Sequence, residues 1–152
     1  MLWLISLLAC SSEYMDITGS VSDTTFTPVT GYFGGNYITF FNIDIDCKDM
    51  HWVTNIYRSG DTPYDRDLEA LQITFNDSDV ITGTYSTGGE APIRGAYLNI
   101  AGNAFEALKA TDGQIISSVV EEDYTEGSFN FSFGDKTISG EYYIPFCTNL
   151  IH

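Results

Sequence analysis

The sequence holds little positive charge. Its 152 residues include six Lys and Arg against 21 Asp and Glu, which gives a formal net charge of −15 at pH 7. This balance argues against nucleic-acid binding, because proteins bind phosphate backbones by neutralising them with basic side chains. The same charge disfavours attachment to anionic lipid head groups by charge alone.

Histidine is scarce as well, which limits metal and acid–base chemistry. The chain has two histidines, His51 and His152, and no CxxC or HxxxH spacing. Zinc sites need several Cys or His ligands at such spacings, so neither zinc nor another cofactor is predicted. His51 is the one plausible base for a nucleophilic triad, and a Gly-x-Ser-x-Gly motif is missing. We assign no catalytic residue and predict that the protein is not an enzyme. A pair of acidic residues stays open, because only separation in space would identify it.

The sequence has no apolar run of the about 20 residues that a membrane-spanning helix needs. The amino-terminal stretch Met1–Ala9 is apolar but short, and with a small residue at its end it is typical of a secretion signal. The residues Leu7-Leu8-Ala9-Cys10 resemble the lipobox of bacterial lipoproteins, in which cleavage before the cysteine leaves it as the lipidated first residue. A terminal strand with Cys10 as a buried thiol is the alternative.

This resemblance implies three parts. Residues 1–9 are a signal-like segment, residues 10–15 a tether that begins at the lipid-carrying Cys10, and residues 16–152 a single β domain. We then expect the domain in the bacterial cell envelope, at the outer membrane or in the periplasm, with the membrane as a partner through the lipid. Secretion without an anchor is the alternative.

What the sequence has in abundance is aromatic residues that alternate with polar ones. The clearest stretch is Gly127–Cys147, in which Phe129, Phe131 and Phe133 precede a turn at Gly134-Asp135-Lys136 and a second alternating run follows. Alternation with period two around a Gly-Asp turn predicts a β-hairpin with one buried and one wet face. In the second run, Glu141 and Tyr143 fall on the wet face. The chain length fits one domain, so we predict a single all-β fold, an antiparallel β-sandwich or flattened β-barrel of about 8–10 strands.

Two more hairpins are predicted from turn residues between apolar runs. One pairs Leu71–Phe75 with Val80–Ser86 across an acidic turn, and the other pairs Ala104–Ala110 with Gln114–Val120 across Asp112-Gly113. A helical turn over Ala104–Ala110 is the alternative, because its first residues imitate a capping box. The remaining predicted strands are Ile17–Val21, a short one around Phe26, Asn36–Ile45, Met50–Tyr57 and Ile93–Ala101.

A weak repeat places glycine inside three of these strands. Ile17–Val21, Ile81–Tyr85 and Ile138–Tyr142 share the pattern apolar, Ser or Thr, Gly, any residue, apolar. Glycine within a strand marks a bend, a bulge or the close approach of another backbone.

The region from Asp112 to Cys147, together with the lipobox, resembles small all-β lipoproteins of Gram-negative bacteria. The resemblance implies a folded domain on a membrane anchor and assigns no catalytic residue. In an exported protein of this kind, Cys47 and Cys147 most simply form one disulfide, with Cys10 kept for the lipid. Two inert buried thiols are the alternative.

Two groups of residues are weak candidates for ligand binding. Asp61, Asp65, Asp67 and Glu69 offer oxygen ligands for calcium, although a solvated acidic loop is the better interpretation because the spacing of a calcium-binding EF-hand is missing. An aromatic platform for sugars is the second candidate, and its residues are Trp52, Tyr57, Tyr64 and Tyr97. Aromatic residues in alternating strands more often belong to the core.

The sequence therefore predicts an exported, lipid-anchored domain with a binding or structural role. A protein or a glycan remains open as its partner, and nucleic acid is excluded. A secreted carbohydrate- or calcium-binding β-sandwich module is the alternative, and a hydrolase that uses acidic residues is a further one.

Overall fold

A computed structural model describes residues 14–21, 24–52, 68–88, 92–101 and 104–150. These residues form eleven β-strands and two short 3₁₀ helices. The strands are β1 Tyr14–Val21, β2 Thr24–Thr25, β3 Thr30–Gly34, β4 Tyr37–Phe41, β5 Leu68–Phe75, β6 Gly83–Ser86, β7 Ile93–Ala101, β8 Ala104–Lys109, β9 Asp112–Val120, β10 Tyr124–Phe133 and β11 Lys136–Pro145. The helices are Cys47–Trp52 and Thr148–Leu150, and neither has the length and apolar character to cross a membrane.

The strands lie in two antiparallel sheets that pack face to face. One sheet has the order β2-β1-β11-β10-β9-β6, and the other has the order β3-β4-β5-β7-β8. The prediction of an all-β antiparallel sandwich is confirmed. The described residues hold one strand more than the predicted range, and β2 is only two residues long.

The β10–β11 hairpin is confirmed with the predicted faces. Phe131 lies opposite Ile138 in the ladder, and both are fully buried. Gly134 in the turn has a φ of +69°, a conformation that glycine adopts without steric cost. The alternation of apolar and polar residues was enough to predict this hairpin, because its two strands and the turn between them follow one another in the sequence.

The main core lies between the two sheets and is rich in aromatic rings. Phe40 of β4 contacts Phe129 at a ring-centroid distance of 5.5 Å and Tyr142 at 5.7 Å. Phe75 of β5 contacts Tyr85 of β6 in the same way at 5.2 Å. Because these contacts join opposite sheets, they hold the sandwich together.

A second apolar cluster covers the other face of the five-stranded sheet. Leu71 and Ile73 of β5 point into the main core, whereas Leu68 and Ala70 belong to the second cluster, together with Met50. The same cluster includes residues from the carboxyl-terminal end, among them Cys147 and Leu150. β5 is therefore buried on both faces, and six of its eight residues are buried, Gln72 among them.

A disulfide between Cys47 and Cys147 ties this second layer together, as predicted. Their Cα atoms are 5.5 Å apart, and 100 residues separate them in the sequence. The Asn149 side-chain amide donates a hydrogen bond to the Cys47 carbonyl at 2.8 Å. The bridge joins the first 3₁₀ helix to the segment that follows β11.

The prediction that Leu71–Phe75 pairs with Val80–Ser86 is wrong. β5 pairs with β4 and β7, whereas β6 pairs with β9 in the other sheet. The connecting residues turn towards the β3–β4 loop, where the Val80 amide donates to the Gly35 carbonyl at 2.9 Å. The segment between β5 and β6 therefore crosses from one sheet to the other.

The second predicted hairpin is wrong in its pairing, although both of its predicted strands are present. Ala104–Lys109 is a strand rather than a helical turn, but it pairs with β7, and β9 pairs with β10 and β6. Ala110 bonds to Gly95 of one sheet, and Thr111 bonds to Ser132 of the other. Gly113 does not form the predicted turn; it lies inside β9 with a φ of +148°.

Three further strand predictions need correction. Residues 47–52 form a 3₁₀ helix where Met50–Tyr57 was predicted as a strand, and residues 53–57 lie outside the described part. β4 ends at Phe41, because the chain beyond it turns to place the buried Ile43 and Ile45 in the second cluster. Phe26 lies between β2 and β3 as a fully buried loop residue.

Two glycines of the repeat lie where β1 and β11 touch, as the pattern predicts. A Cβ atom on Gly19 would collide with the Thr137 carbonyl, and one on Gly140 would collide with the Asp16 carbonyl. The backbones of the two strands therefore approach more closely there than side chains would allow.

Candidate ligand-binding face

The outer face of the six-stranded sheet carries tyrosine and carboxylate side chains on three adjacent strands. Alternation along β1, β11 and β10 places residues of one parity in the core and the others outside. We call the outer group the tyrosine–carboxylate face, and its members are Tyr14, Asp16, Tyr124, Glu126, Glu141 and Tyr143.

The register of the strands brings these residues together. Tyr14 of β1 lies opposite Tyr143 of β11, which in turn lies opposite Glu126 of β10. Asp16 lies opposite Glu141, two residues further along the same pair of strands. Residues far apart in the sequence thus become direct neighbours in the sheet.

A depression of about 220 Å³ opens in this face. Tyr14, Tyr143, Glu126 and Glu141 line it, together with two serines, Ser118 and Ser128. Gly127 and Tyr142 complete the lining.

A β-bulge shapes the depression. Glu126 pairs with Val119 and Gly127 pairs with Ser117, so Ser118 is an extra residue in β9. A bulge twists the strand and redirects side chains, which places Ser118 at the edge of the depression. Bulges of this type occur often beside functional sites.

The Tyr142 side chain passes next to Gly127 and reaches this bulge. A Cβ atom on Gly127 would lie 2.5 Å from the Tyr142 hydroxyl oxygen, so a larger residue would displace the ring. Tyr142 is only 1% exposed, and its hydroxyl lies beside the buried Ser117 hydroxyl on the core side of β10. Burial raises the pKa of Tyr142 and outweighs the opposite effect of a hydrogen bond with the Ser117 hydroxyl.

The outer tyrosines sit in a negative electrostatic environment. Tyr124 and Tyr143 stack with their ring centroids 4.7 Å apart, and Tyr14 is half-exposed. The charge of Asp16 is the largest cause of a raised pKa at Tyr14. At Tyr124, desolvation and then the charge of Glu121 raise the pKa.

Among the described residues, the carboxylates of the face have no ion pair with a basic side chain. The ion pair found in the described residues joins Lys48 to Asp46 at 3.7 Å, away from this face. The lining of the depression contains no Lys or Arg. Like charges directly opposite in a sheet, as at Asp16 and Glu141, are destabilising.

The calcium candidates are not brought together in the described residues. Asp61, Asp65 and Asp67 lie outside the described part, as does the lipidation candidate Cys10. The Glu69 carboxylate accepts a hydrogen bond from the Tyr97 hydroxyl at 2.9 Å. Within the described ranges, no three His, Cys, Asp or Glu side chains are grouped to hold a metal ion.

Of the four residues of the weak aromatic-platform candidate, the one whose side chain is described lies in the core, which is the interpretation favoured for aromatic residues in strands. Tyr97 is 2% exposed, and its ring contacts Phe26 and Phe133 in the main core. Burial, and then the hydrogen bond to Glu69, raise its pKa. Tyr57, Tyr64 and the side chain of Trp52 lie outside the described part.

Sequence reasoning placed Tyr143 beside Glu141 on a wet face but missed the site. The signal was the alternation in β11, which assigns adjacent Tyr142 and Tyr143 to opposite faces. The strands on either side of β11 could not be identified from it, because β1 lies at the other end of the sequence.

Comparison with protein-family models, curated proteins and solved structures found no match to this chain. What the face can do follows from its groups. Carboxylates and hydroxyl oxygens accept hydrogen bonds, tyrosine rings attract cations and apolar surfaces, and the depression receives a small group. Its lining holds neither histidine nor cysteine, which would supply a base or a thiol nucleophile.

Proposed function

We propose that this protein is an exported, lipid-anchored binding domain, and that the tyrosine–carboxylate face is its binding surface. The observation that carries the proposal is the opposition of Asp16 and Glu141 beside exposed tyrosine rings, without a compensating Lys or Arg in the depression. A sheet designed only for stability would pair these positions with opposite charges. Local arrangements that reduce stability are common at functional sites.

The disulfide supports the export part of the proposal. Cys47 and Cys147 are joined, and structural disulfides persist mainly in oxidising compartments such as the bacterial periplasm. With this pair formed, Cys10 is the third cysteine of the chain and is free to carry the lipid.

The anchor would hold the face close to the membrane. Three residues lie between Cys10 and Tyr14, where β1 begins on the tyrosine–carboxylate face, so the two are four residue steps apart. A segment of this length spans at most roughly 14 Å. A partner at or near the membrane surface is therefore within reach of the face.

The mass of the intact protein tests the anchor. The gene, with its native upstream DNA, is expressed in a Gram-negative host, and the protein is recovered from membrane and soluble fractions. We expect a membrane-bound product whose mass corresponds to cleavage before Cys10 plus acyl chains. Cys10→Ser is the control and should give no lipidated product. An unmodified mass that retains Met1–Ala9 would refute the anchor.

A further inference from the structure

We propose that the depression in the tyrosine–carboxylate face receives a lysine or arginine side chain from a basic segment of a partner protein. This inference rests on the proposed function, since it names the ligand of the same face. The charge of the face, its rings and the acceptor groups that line the depression support it independently.

Charge selects a cation. Glu126 and Glu141 line the depression, and Asp16 lies directly across the ladder from Glu141. A guanidinium or ammonium group would relieve the repulsion between these carboxylates and form charge-assisted hydrogen bonds with them. An anionic ligand would meet the same three charges without compensation.

The rings favour the same class of ligand. Tyr14 and Tyr143 line the depression beside the carboxylates, and Tyr143 is held in place by its stack with Tyr124. Cations are attracted to the face of a tyrosine ring, and arginine also stacks on it. The raised pKa of Tyr14 is consistent with this negative environment.

The side chains around the depression offer mainly hydrogen-bond acceptors. Glu126 and Glu141 are carboxylates, and Ser118 and Ser128 add hydroxyl oxygens. Lysine and arginine carry only donors, so they match a lining made mainly of acceptors.

The extent of the face favours a protein segment over a single small cation. Its carboxylates lie on three adjacent strands, β1, β11 and β10, which together span about 10 Å. One ammonium or guanidinium group cannot contact all of them at once. A segment with two or more basic side chains can place one in the depression and another beside Asp16.

Fluorescence anisotropy with a labelled peptide of alternating arginine and serine tests the inference. The same peptide with citrulline in place of arginine keeps the shape and removes the charge. We expect binding of the arginine peptide to the wild-type protein at low salt and at least tenfold weaker binding of the citrulline peptide.

Matched variants separate this face from the general negative charge of the protein. Glu126→Gln with Glu141→Gln removes two charges from the face, and Asp112→Asn with Asp135→Asn removes two charges near the hairpin turn. Asp112 lies opposite Ser132 and Asp135 lies in the β10–β11 turn, so both lie roughly 20 Å or more from Glu126. We expect the first pair to weaken binding at least tenfold and the second at most twofold.

Tyr14→Ser tests the contribution of the rings. It should weaken binding several-fold, since it removes a ring and no charge.

Three outcomes would overturn the inference. Equal losses in both pairs would show attraction to net charge only. Unchanged binding in the Glu126→Gln, Glu141→Gln variant, with native circular dichroism, would place the ligand elsewhere. Binding of a neutral oligosaccharide that Tyr14→Ser abolishes, without binding of the arginine peptide, would identify a sugar site. In each case the intact mass tests the lipid on Cys10 separately. The proposed ligand class can therefore be refuted without refuting the lipid anchor.

Discussion

Tyr142 shows how a large core residue depends on a glycine in the neighbouring strand. Its ring packs against Phe40 and Phe129 in the main core, and its hydroxyl lies over Gly127, beside the Ser117 hydroxyl. Gly127, opposite Tyr142 in the ladder, has no side chain that would block this position. The ring and its hydroxyl therefore fill the space that the glycine leaves.

We expect Tyr142→Phe to make the domain more resistant to alkali. Burial raises the pKa of Tyr142 in the folded state, so only the unfolded state ionises just above its ordinary pKa of about 10. Stability from this residue is complete below that pH and falls by about 1.4 kcal/mol per pH unit above it, until the folded-state pKa is reached. Phenylalanine removes this loss, although buried Tyr97 still titrates.

Urea unfolding between pH 8 and pH 11 measures the effect. At pH 8 the two proteins should differ by no more than about 1 kcal/mol, because the Tyr142 phenol is neutral in both the folded and the unfolded state there. Identical pH dependence in both proteins would mean that the Tyr142 phenol is not shielded as described.

Among single residues, the sequence predicted best where alternation alone decides exposure. Phe129, Phe131 and Phe133 are buried as expected, and Glu141 is exposed. Tyr97 is buried, in agreement with the expectation that aromatic residues in strands more often belong to the core. Opposition of Asp16 and Glu141 was not predictable, since it depends on the register of strands from opposite ends of the chain.

At the scale of elements, the five-stranded sheet depends on a cover held by a disulfide. The outer side of β5 packs on residues around the first 3₁₀ helix and on the carboxyl-terminal segment. The Cys147 amide also donates a hydrogen bond to the Phe33 carbonyl of β3 at 2.8 Å. The disulfide therefore fastens a layer that touches the sheet at several points.

Replacing both bridged cysteines, Cys47→Ser with Cys147→Ser, should lower the free energy of unfolding by about 2–5 kcal/mol. A cross-link closing a loop of this length restricts the unfolded chain, which accounts for the upper part of that range. Chemical denaturation gives the value, with Cys10→Ser as a control that leaves the bridge intact. Hydrogen exchange should rise first in the 3₁₀ helices and β3, and later in the β10–β11 hairpin. Equal stability of the bridged and unbridged proteins would contradict this account.

Element pairing could be predicted only where it is local. The β10–β11 hairpin was predicted correctly because its short turn places the two strands directly side by side. The hairpins predicted at residues 76–79 and at Asp112-Gly113 failed because turn residues can equally well lead the chain from one sheet to the other. That choice depends on which apolar faces must meet, and local sequence does not contain this information.

At the scale of the whole molecule, negative charge dominates. The net charge of −15 is carried by a chain with few compensating cations, and such self-repulsion destabilises the compact state. The sequence alone predicts from this charge that nucleic acid is not a partner, whereas the proposed binding face could be located only in the fold.

We expect added salt to stabilise the protein and to weaken peptide binding. Between 20 mM and 500 mM NaCl, screening should raise the free energy of unfolding by on the order of 1 kcal/mol. Thermal or urea unfolding measures stability, and anisotropy measures binding in the same buffers. KCl should act like NaCl, because screening depends on ionic strength. Stability that falls with salt would mean that favourable ion pairs outweigh the repulsion.

The pairing of β1 with β11 has a consequence for how the chain is made. Tyr14 finds its partner in Tyr143, so the six-stranded sheet cannot close before almost the whole chain has left the ribosome. Contacts this distant in sequence form slowly, because their loop must close before they stabilise anything. The unfinished domain therefore stays open during synthesis, the state in which a chain can still be threaded across a membrane. The first strand, β1, therefore waits for the last strand, β11, before it can pair in the sheet.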